Sequence, residues 1–411
     1  MKRLIQLMII ALPLHIGLAQ NIISGTVKNA DTGTPLEQVT VFFPEMEKGT
    51  ATNEMGKYEL RDIPSGSSII VFSFIGYETF SKTITINIGT NALDVTLIRS
   101  AIEMEEVIVS TPFHKLQSEN VMKVERANMK ELKTMGAITL SDGITEIAGV
   151  ESVSTGVGIG KPVIRGLSAN RVLVYTQGVR MENQQFGDEH GLGINGAGIE
   201  SVEVIKGPAS LLYGSDAMGG VLYFNPEKFA ETNDTNGDLN LQYFTNTQGL
   251  SADAGLKSSG EKLKFLVRGS YTSHIDYKTG NEERLTNSRF NELDFKTGVG
   301  YQSTKFKTEL RYNFTTSEFG IPEEIGEQTK TRSPELPNQE INNHILSSKT
   351  KMFFENSSLE GTFGYVFNNR KEFEDDQSNA ALEMHLATFN YNLQYEMPKW
   401  GKLETIIGLQ G

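Results

Sequence analysis

The chain has 411 residues, which is enough for two or three domains, and its formal net charge is -13. This acidic balance argues against nonspecific nucleic-acid binding, because such binding depends on Lys and Arg side chains that neutralise phosphates. The chain contains no cysteine, so we expect neither disulfides, nor thiolate zinc sites, nor a lipid anchor on an N-terminal cysteine.

Residues 1–19 have the pattern of a secretory signal peptide. Lys2 and Arg3 precede an apolar run from Leu4 to Leu18, and Gly17 and Ala19 have the spacing of a signal-peptidase site. The run is shorter than the ~20 apolar residues of a membrane-spanning helix. We therefore expect cleavage near Ala19.

Residues 20–100 predict a small β-sandwich. Short alternating segments are separated by turn signals such as Asp31-Thr32-Gly33 and Pro64-Ser65-Gly66. The predicted strands are Ile22–Val27, Val39–Phe43, Tyr58–Leu60, Ile69–Phe74 and Thr83–Ile88.

Residues 103–112 predict a segment that pairs with another protein. Val107, Ile108 and Val109 form a β-branched run between acidic residues and Thr111-Pro112, which cannot continue a helix. Such a strand can add to a partner's sheet edge through main-chain hydrogen bonds. An ordinary interdomain linker is the alternative.

Residues 113–228 mix helix, strand and glycine-rich loop. We expect helices at Met129–Met135 and Leu140–Ile147, the second capped by Ser141 or Asp142. The predicted strands are Pro162–Arg165, Val172–Thr176, Ser201–Ile205 and Val221–Phe224. At Gln177-Gly178 a type II turn is expected, because Gln adopts positive φ less readily than Asp.

Residues 237–411 predict long strands of period two, the length of transmembrane barrel strands. A soluble sandwich is the alternative. The predicted lipid-facing residues are Leu263, Phe265, Val267, Phe306, Leu310 and Tyr312, and the predicted lumen-facing residues are Lys264, Arg268, Lys307 and Arg311.

The links between these strands alternate in length, as they do in outer-membrane barrels. Short links near residues 258–261, 302–304, 355–358 and 397–400 alternate with polar links near 274–288, 317–346 and 370–383. About nine strands are expected, whereas plugged transporters close with about 22. An open sheet edge is unstable in lipid, so we expect the barrel to be incomplete.

Three sets of motifs carry a resemblance to one family. Ile164-Arg165-Gly166-Leu167 and the run Ile199–Phe224 resemble the plug of TonB-dependent outer-membrane receptors, and EEVIVST is similar to their TonB box. The segments ISGTVKNADTGTPLEQVTVFF, TNEMGKYELRDIP and FIGYETF resemble the carboxypeptidase-regulatory-like domain that precedes this box in receptors of Bacteroidetes type. That domain name is a fold label and implies no peptidase activity.

The resemblance implies a mainly β fold with an N-terminal sandwich, an α/β plug and the first about nine strands of a transmembrane barrel. It implies partner binding through the predicted TonB box (residues 103–112), whose central residues are Glu105, Glu106, Val107, Ile108, Val109, Ser110 and Thr111. It also implies plug-to-barrel contacts at Arg165, Glu203 and Lys206.

The loop Met181–Ile194 is the candidate ligand site at the plug apex. Its carboxylates and imidazole suit a first-row metal, and its amides suit a chelate or sugar. The candidate ligand-binding residues are Glu182, Gln184, Gln185, Asp188, Glu189 and His190. The alternative is that these residues satisfy one another or the barrel wall.

Two glycine patterns do not predict nucleotide binding. Gly191, Gly193 and Gly196 have dinucleotide-fingerprint spacing, but a strand follows where a helix is needed. The run at Gly156–Lys161 lacks the first glycine of a P-loop and continues with Pro162.

The resemblance implies energy-coupled uptake of an iron chelate (siderophore), haem, cobalamin or another metal complex across the outer membrane. The sandwich and TonB box would lie in the periplasm. The expected partners are a TonB-type inner-membrane protein, outer-membrane lipid and a small-molecule ligand; a surface lipoprotein is a further candidate. We expect no enzyme activity, resident cofactor or nucleic-acid partner. Glycan uptake, or a role as a surface receptor or adhesin without transport, is the alternative.

Overall fold

The computed structural model describes residues 21–100, 108, 110, 116, 124–183, 187, 190–214, 216–401 and 403–411. The predicted signal peptide lies outside the described residues. Within the described ranges, no helix is both long enough and apolar enough to cross a membrane.

The N-terminal domain is a sandwich of two four-stranded sheets. Its strands are β1 (Ile22–Asn29), β2 (Thr40–Phe43), β3 (Lys48–Ala51), β4 (Lys57–Arg61), β5 (Gly66–Ser73), β6 (Phe80–Ile86), β7 (Thr90–Ala92) and β8 (Val95–Leu97). In one sheet β1 pairs with β4, β7 and β8; in the other β2 lies between β3 and β5, and β5 pairs with β6. Inward-facing residues such as Ile23, Phe43 and Phe72 form the apolar core. A 3₁₀ helix, Pro44–Met46, follows β2. The short strands β3, β7 and β8 were not predicted from the sequence.

The plug contains a five-stranded sheet in the order β13-β12-β15-β14-β9 and a separate hairpin of β10 and β11. Its strands are β9 (Val124–Asn128), β10 (Val150–Ser154), β11 (Gly160–Ile164), β12 (Val172–Thr176), β13 (Val179–Met181), β14 (Ile199–Ile205) and β15 (Gly220–Pro226). Its helices are α1 (Met129–Thr134), α2 (Leu140–Gly143) and the 3₁₀ helices Ile144–Glu146, Ala169–Arg171 and Gly207–Tyr213.

Two local predictions in the plug were wrong. The N-cap of α2 is Thr139, whose hydroxyl accepts from the N–H of Asp142 at 3.2 Å, so the cap precedes the predicted Ser141. At the hairpin between β12 and β13, Gln177 has φ 44° and Gly178 has φ 81°. Positive φ at both central residues belongs to a type I′ turn, whose twist matches a two-residue hairpin, and this requirement overrides the preference of Gln.

The C-terminal part is a nine-stranded antiparallel sheet in which each strand pairs with its sequence neighbour, as predicted. Its strands are β16 (Asp234–Phe244), β17 (Gly249–Ser259), β18 (Leu263–His274), β19 (Phe290–Gln302), β20 (Phe306–Gly320), β21 (Asn338–Phe353), β22 (Ser358–Phe373), β23 (Leu382–Glu396) and β24 (Ile406–Gln410). Among the described strands, β16 and β24 do not pair, so the sheet is not closed.

The side chains of the sheet alternate between two environments. Leu263 and Phe265 are 49% and 51% exposed on the outer face, whereas Lys264 and Arg268 are 7% and 6% exposed on the inner face. The plug covers the inner face: Ile345 of β21 and Val366 of β22 belong to the plug's apolar core. The predicted assignment of faces to this sheet is therefore confirmed.

The two ends of the sheet differ. The short-turn end carries links 260–262, 303–305 and 354–357 and one longer link, 397–405, and the long-loop end carries one short link, 245–248, and links 275–289, 321–337 and 374–381. The predicted short link 397–400 was therefore too short. The predicted loop 317–346 was too long, because β20 extends to Gly320 and β21 begins at Asn338. Polar residues such as Asn343 made this part of β21 resemble a loop, but Asn343 faces inward and donates to the carbonyl of Gly193 in the plug.

Candidate functional site

Ile108, from the predicted TonB box, is docked against the end of the plug sheet. Its side chain is 2% exposed and packs with an apolar cluster. That cluster consists of Val124, Leu173, Ile205, Ala217 and Val221, with Tyr175 and Tyr213 at its border. The β-branched residue that suggested a free strand is therefore buried on the chain's own plug.

The main chain of Ser110 is held from two directions. Its N–H donates to Oε2 of Glu203 at 2.8 Å, and its carbonyl accepts a hydrogen bond from the hydroxyl of Tyr213. Plug side chains thus occupy the backbone groups that a neighbouring strand would use. Oγ of Ser110 is buried and has no hydrogen-bond partner among the described residues.

Glu203, in the middle of β14, is fully buried and is held by its neighbours in the plug. Its Oε1 accepts from Nδ2 of Asn225 at 2.9 Å and lies 3.8 Å from Nε of Arg126. Burial lowers the pKa of Arg126, and the charge of Glu203 opposes this shift. Because a buried carboxylate needs donors and a counter-charge, this arrangement makes Glu203 a fixed acceptor for the N–H of Ser110.

Tyr213 is held by two other tyrosines. Its ring meets Tyr175 edge-on with the centroids 5.0 Å apart, and Tyr175 stacks on Tyr223 at 6.0 Å. Burial raises the pKa of Tyr213 well above its ordinary value and that of Tyr223 to about 12. The hydroxyl of Tyr213 therefore stays protonated at neutral pH and can donate to Ser110. We call the contacts of Ser110 with Glu203 and Tyr213 the box clamp.

Most of the predicted TonB box lies outside the described residues. Glu105, Glu106, Val107, Val109 and Thr111 lie outside the described residues. The partner-binding role of the box stays a prediction.

The residues predicted to join plug and barrel have the following surroundings among the described residues, and their predicted role stays a prediction. Arg165 is exposed, has φ 54° and makes no hydrogen bond or ion pair with the residues that the structure describes. Nζ of Lys206 donates to the carbonyl of Ala148, within the plug. The described partners of Glu203 lie in the plug and the TonB box, because its position on β14 directs the carboxylate toward Ser110 and Asn225.

His190 contacts the nine-stranded sheet, and its predicted ligand role stays a prediction. It is 2% exposed, and its Nε2 lies 2.8 Å from Oε1 of Glu372, at the long-loop end of β22. Glu182 lies 3.0 Å from Nε of Arg180. The other candidate ligand residues, Gln184, Gln185, Asp188 and Glu189, lie outside the described residues. Across the part of the chain that is described, no group of three or more His, Asp or Glu side chains could hold a metal ion.

Contacts between plug and sheet also involve residues that the sequence did not single out as plug-to-barrel contacts. Nε of Arg268 donates to Glu227 at 2.8 Å, and Nζ of Lys296 donates to the carbonyls of Asn195 and Ala197. Lys296 reaches these carbonyls because Gly198, with φ 65°, leaves no Cβ in its path. The dense glycines between residues 191 and 198 were the available signal, since they permit close approach of the backbone.

Two segments of the chain match known domain families. Residues 23–109 match the CarboxypepD_reg-like domain, and residues 117–221 match the TonB-dependent receptor plug domain.

The alignments with two curated relatives cover most of this chain but less than half the length of each relative. The vitamin B12 transporter BtuB of Photobacterium profundum is 23% identical over 302 residues, which are 71% of this chain and 47% of the relative. The heme/hemopexin utilization protein C of Haemophilus influenzae is 26% identical over 281 residues, which are 67% of this chain and 37% of the relative.

Solved structures share the fold. A mutant of the ferric enterobactin receptor PfeA of Pseudomonas aeruginosa superposes with a TM-score of 0.57 at 16% identity, over 71% of this chain and 49% of that chain. The ferric yersiniabactin uptake receptor FyuA of Yersinia pestis gives a TM-score of 0.55 at 13% identity, over 71% and 48%. At these identities the similarity establishes the fold alone.

Proposed function

We propose that this chain, which carries the carboxypeptidase-regulatory-like and plug domains of the TonB-dependent receptors, serves energy-coupled uptake of a metal complex across the outer membrane. TonB-dependent receptors are outer-membrane proteins that bind small-molecule ligands and work with TonB. In the proposed orientation the sandwich, the TonB box and the short-turn end of the sheet face the periplasm.

The box clamp is the observation that carries this proposal. Both backbone polar groups of Ser110 are occupied by the plug. A partner that adds a strand to the box needs main-chain groups of this kind, so it competes directly with Glu203 and Tyr213. Binding of a TonB-type protein therefore requires the box clamp to open. Through the box clamp, the partner acts on the plug, which covers the inner face of the sheet.

The substrate class follows from the relatives and not from a described metal site. The relatives and structural neighbours are named for vitamin B12, haem or hemopexin, ferric enterobactin and ferric yersiniabactin. A metal complex held as a whole by polar loops needs no ligand set from the protein. The loop at residues 182–190 remains our candidate for first contact, with His190 tied to Glu372 in the structure.

Growth of a receptor-deletion strain tests the proposal. The strain is supplied with a ferric siderophore, haem, cobalamin or an oligosaccharide as the limiting nutrient, with and without the TonB-type protein. We expect one metal complex to support growth only when both receptor and TonB-type protein are present. If the deletion strain fails to grow only on the oligosaccharide, the proposed substrate class changes from a metal complex to a glycan. If growth does not depend on the TonB-type protein, coupled transport is refuted.

A further inference from the structure

Strand β5 of the sandwich is buried on both faces, which a free sandwich domain does not require. Ile70 and Phe72 point into the sandwich core, whereas Ile69 and Val71 point to the opposite face and are still only 7% and 5% exposed. Ile69 and Val71 pack with Leu116, which is 3% exposed. Leu116 lies between the predicted TonB box and the first strand of the plug, β9, so the outer face of β5 holds one residue of the segment that joins them.

The same domain contacts the short-turn end of the nine-stranded sheet through two ion pairs. Oε1 of Glu47 lies 2.7 Å from Nζ of Lys307, at the start of β20, and Oε2 of Glu45 lies 3.2 Å from Nζ of Lys351, near the end of β21. Both carboxylates belong to the 3₁₀ turn after β2, where Glu47 has φ 47°. The turn thus presents two negative charges to two lysines on the sheet.

Apolar and backbone contacts continue this interface. Phe353, the last residue of β21, packs against the core of the sandwich. At the start of β5, a Cβ on Gly66 would lie 2.5 Å from the carbonyl oxygen of Glu355. The sandwich therefore sits close against the link 354–357, and a side chain at Gly66 would force the two apart.

We propose that the sandwich is a detachable cap on the short-turn end of the sheet, and that the docked cap restrains the TonB box by holding Leu116. This proposal rests on the proposed function, because it assigns a role to the domain next to the box. Leu116 follows Ser110 by 116 - 110 = 6 residues, which span at most about 20 Å when extended. If Ser110 is drawn further than this from the docked position of Leu116, either Leu116 must leave β5 or the cap must move away from the sheet.

Reversible cross-linking tests whether the cap must move. The chain has no cysteine, so the double variant Glu47→Cys/Lys307→Cys in the intact receptor can be joined by a cleavable bifunctional thiol reagent. We expect cross-linking to lower uptake at least about 5-fold while surface binding of the ligand is unchanged, and reduction to restore uptake. The matched control is Glu59→Cys/Arg61→Cys, an exposed pair within β4 of the sandwich, whose cross-linking does not join the sandwich to the sheet and should leave uptake unchanged.

Labelling of a buried thiol gives a readout independent of transport. In a Val71→Cys background, Glu47→Lys should raise the maleimide labelling rate roughly 5-fold, and Lys307→Glu added to it should restore protection by reversing the pair. Equal labelling of the single and double variants, or undiminished uptake by the cross-linked receptor, would overturn the cap proposal. If instead the unmodified receptor shows no uptake that depends on the TonB-type protein, the proposed function fails whatever the cap does.

Discussion

Removing one hydroxyl from the box clamp should release the TonB box measurably. The hydroxyl of Tyr213 donates to the carbonyl of Ser110, and Tyr213→Phe deletes this bond while keeping the ring that packs on Tyr175. A neutral hydrogen bond contributes a net ~0.5–1.5 kcal/mol. The population of undocked box should therefore rise roughly 2- to 13-fold, since ~1.4 kcal/mol corresponds to a factor of ten.

Ser110 itself offers the probe. Its Oγ is buried without a hydrogen-bond partner in the described part of the chain, so Ser110→Cys sacrifices no hydrogen bond and introduces the only thiol in the sequence. The rate at which maleimide labels this thiol in intact receptor, in outer-membrane vesicles, reports how often the box leaves the plug. Tyr223→Phe is the matched control, because Tyr223 belongs to the same aromatic group and does not contact Ser110.

The reasoning fails if Tyr213→Phe and Tyr223→Phe label at the same rate. It also fails if the thiol in the otherwise unchanged receptor labels as fast as in denatured protein, because the clamp would then give no protection. A pH series adds a check. Burial raises the pKa of Tyr213 above that of an unfolded tyrosine, so its contribution to stability is fully present below about pH 10 and declines above it.

Three further substitutions follow from the same structure. Val107→Pro should abolish uptake with surface ligand binding intact, because proline removes a backbone donor from strand addition; wild-type uptake by this variant would contradict it. Phe265→Arg should impair membrane assembly far more than Lys264→Leu, since Arg on the lipid face costs ~2–4 kcal/mol near the bilayer centre; equal assembly yields would argue for a soluble sheet. Glu47→Gln should weaken docking of the cap more than Glu45→Gln, as measured by labelling of a thiol on the outer face of β5. Burial opposes the charge of Glu47, but Lys307 holds its pKa below the usual range, whereas burial raises the pKa of Glu45. The reverse order of labelling rates would show that these charges do not determine docking.

The long strands were predictable because their side chains alternate between an apolar outer face and a polar inner face. The alternation of Leu263, Phe265 and Val267 with lysine and arginine has the period of a strand between two different environments. The short sandwich strands β3, β7 and β8 were missed because strands of three or four residues are too short to show a period. The start of β21 was missed because its asparagines are satisfied by distant groups, which a local pattern cannot reveal: Asn343 donates to Gly193 of the plug, and Asn338 donates to Glu335 and Gln377 of the loops.

The candidate site was harder to predict, because the chemistry of a side chain does not fix its partner. For His190 the sequence predicted a ligand role from its acidic neighbours and could not predict Glu372, which contacts it across 182 positions of sequence. For Glu203 the sequence predicted a barrel contact and could not predict Ser110, 93 positions earlier, whose N–H donates to it. Each side chain can make the kind of contact that was predicted for it, but only the fold determines which distant group it contacts.

The composition of the box clamp explains how the box can leave while the plug stays folded. Glu203 and Tyr213 hold Ser110 through two hydrogen bonds, together worth roughly 2–4.5 kcal/mol when one of them involves a charged group. The strand that carries Glu203, β14, keeps its own ladders with β15 and β9, and these do not include the box. Among the described residues of the box, a pull therefore first meets the two side-chain contacts of Ser110 and the burial of Ile108. Had Ile108 and Ser110 belonged to an additional strand of the plug sheet, each would have added a backbone ladder bond, and their release would have exposed an unpaired sheet edge.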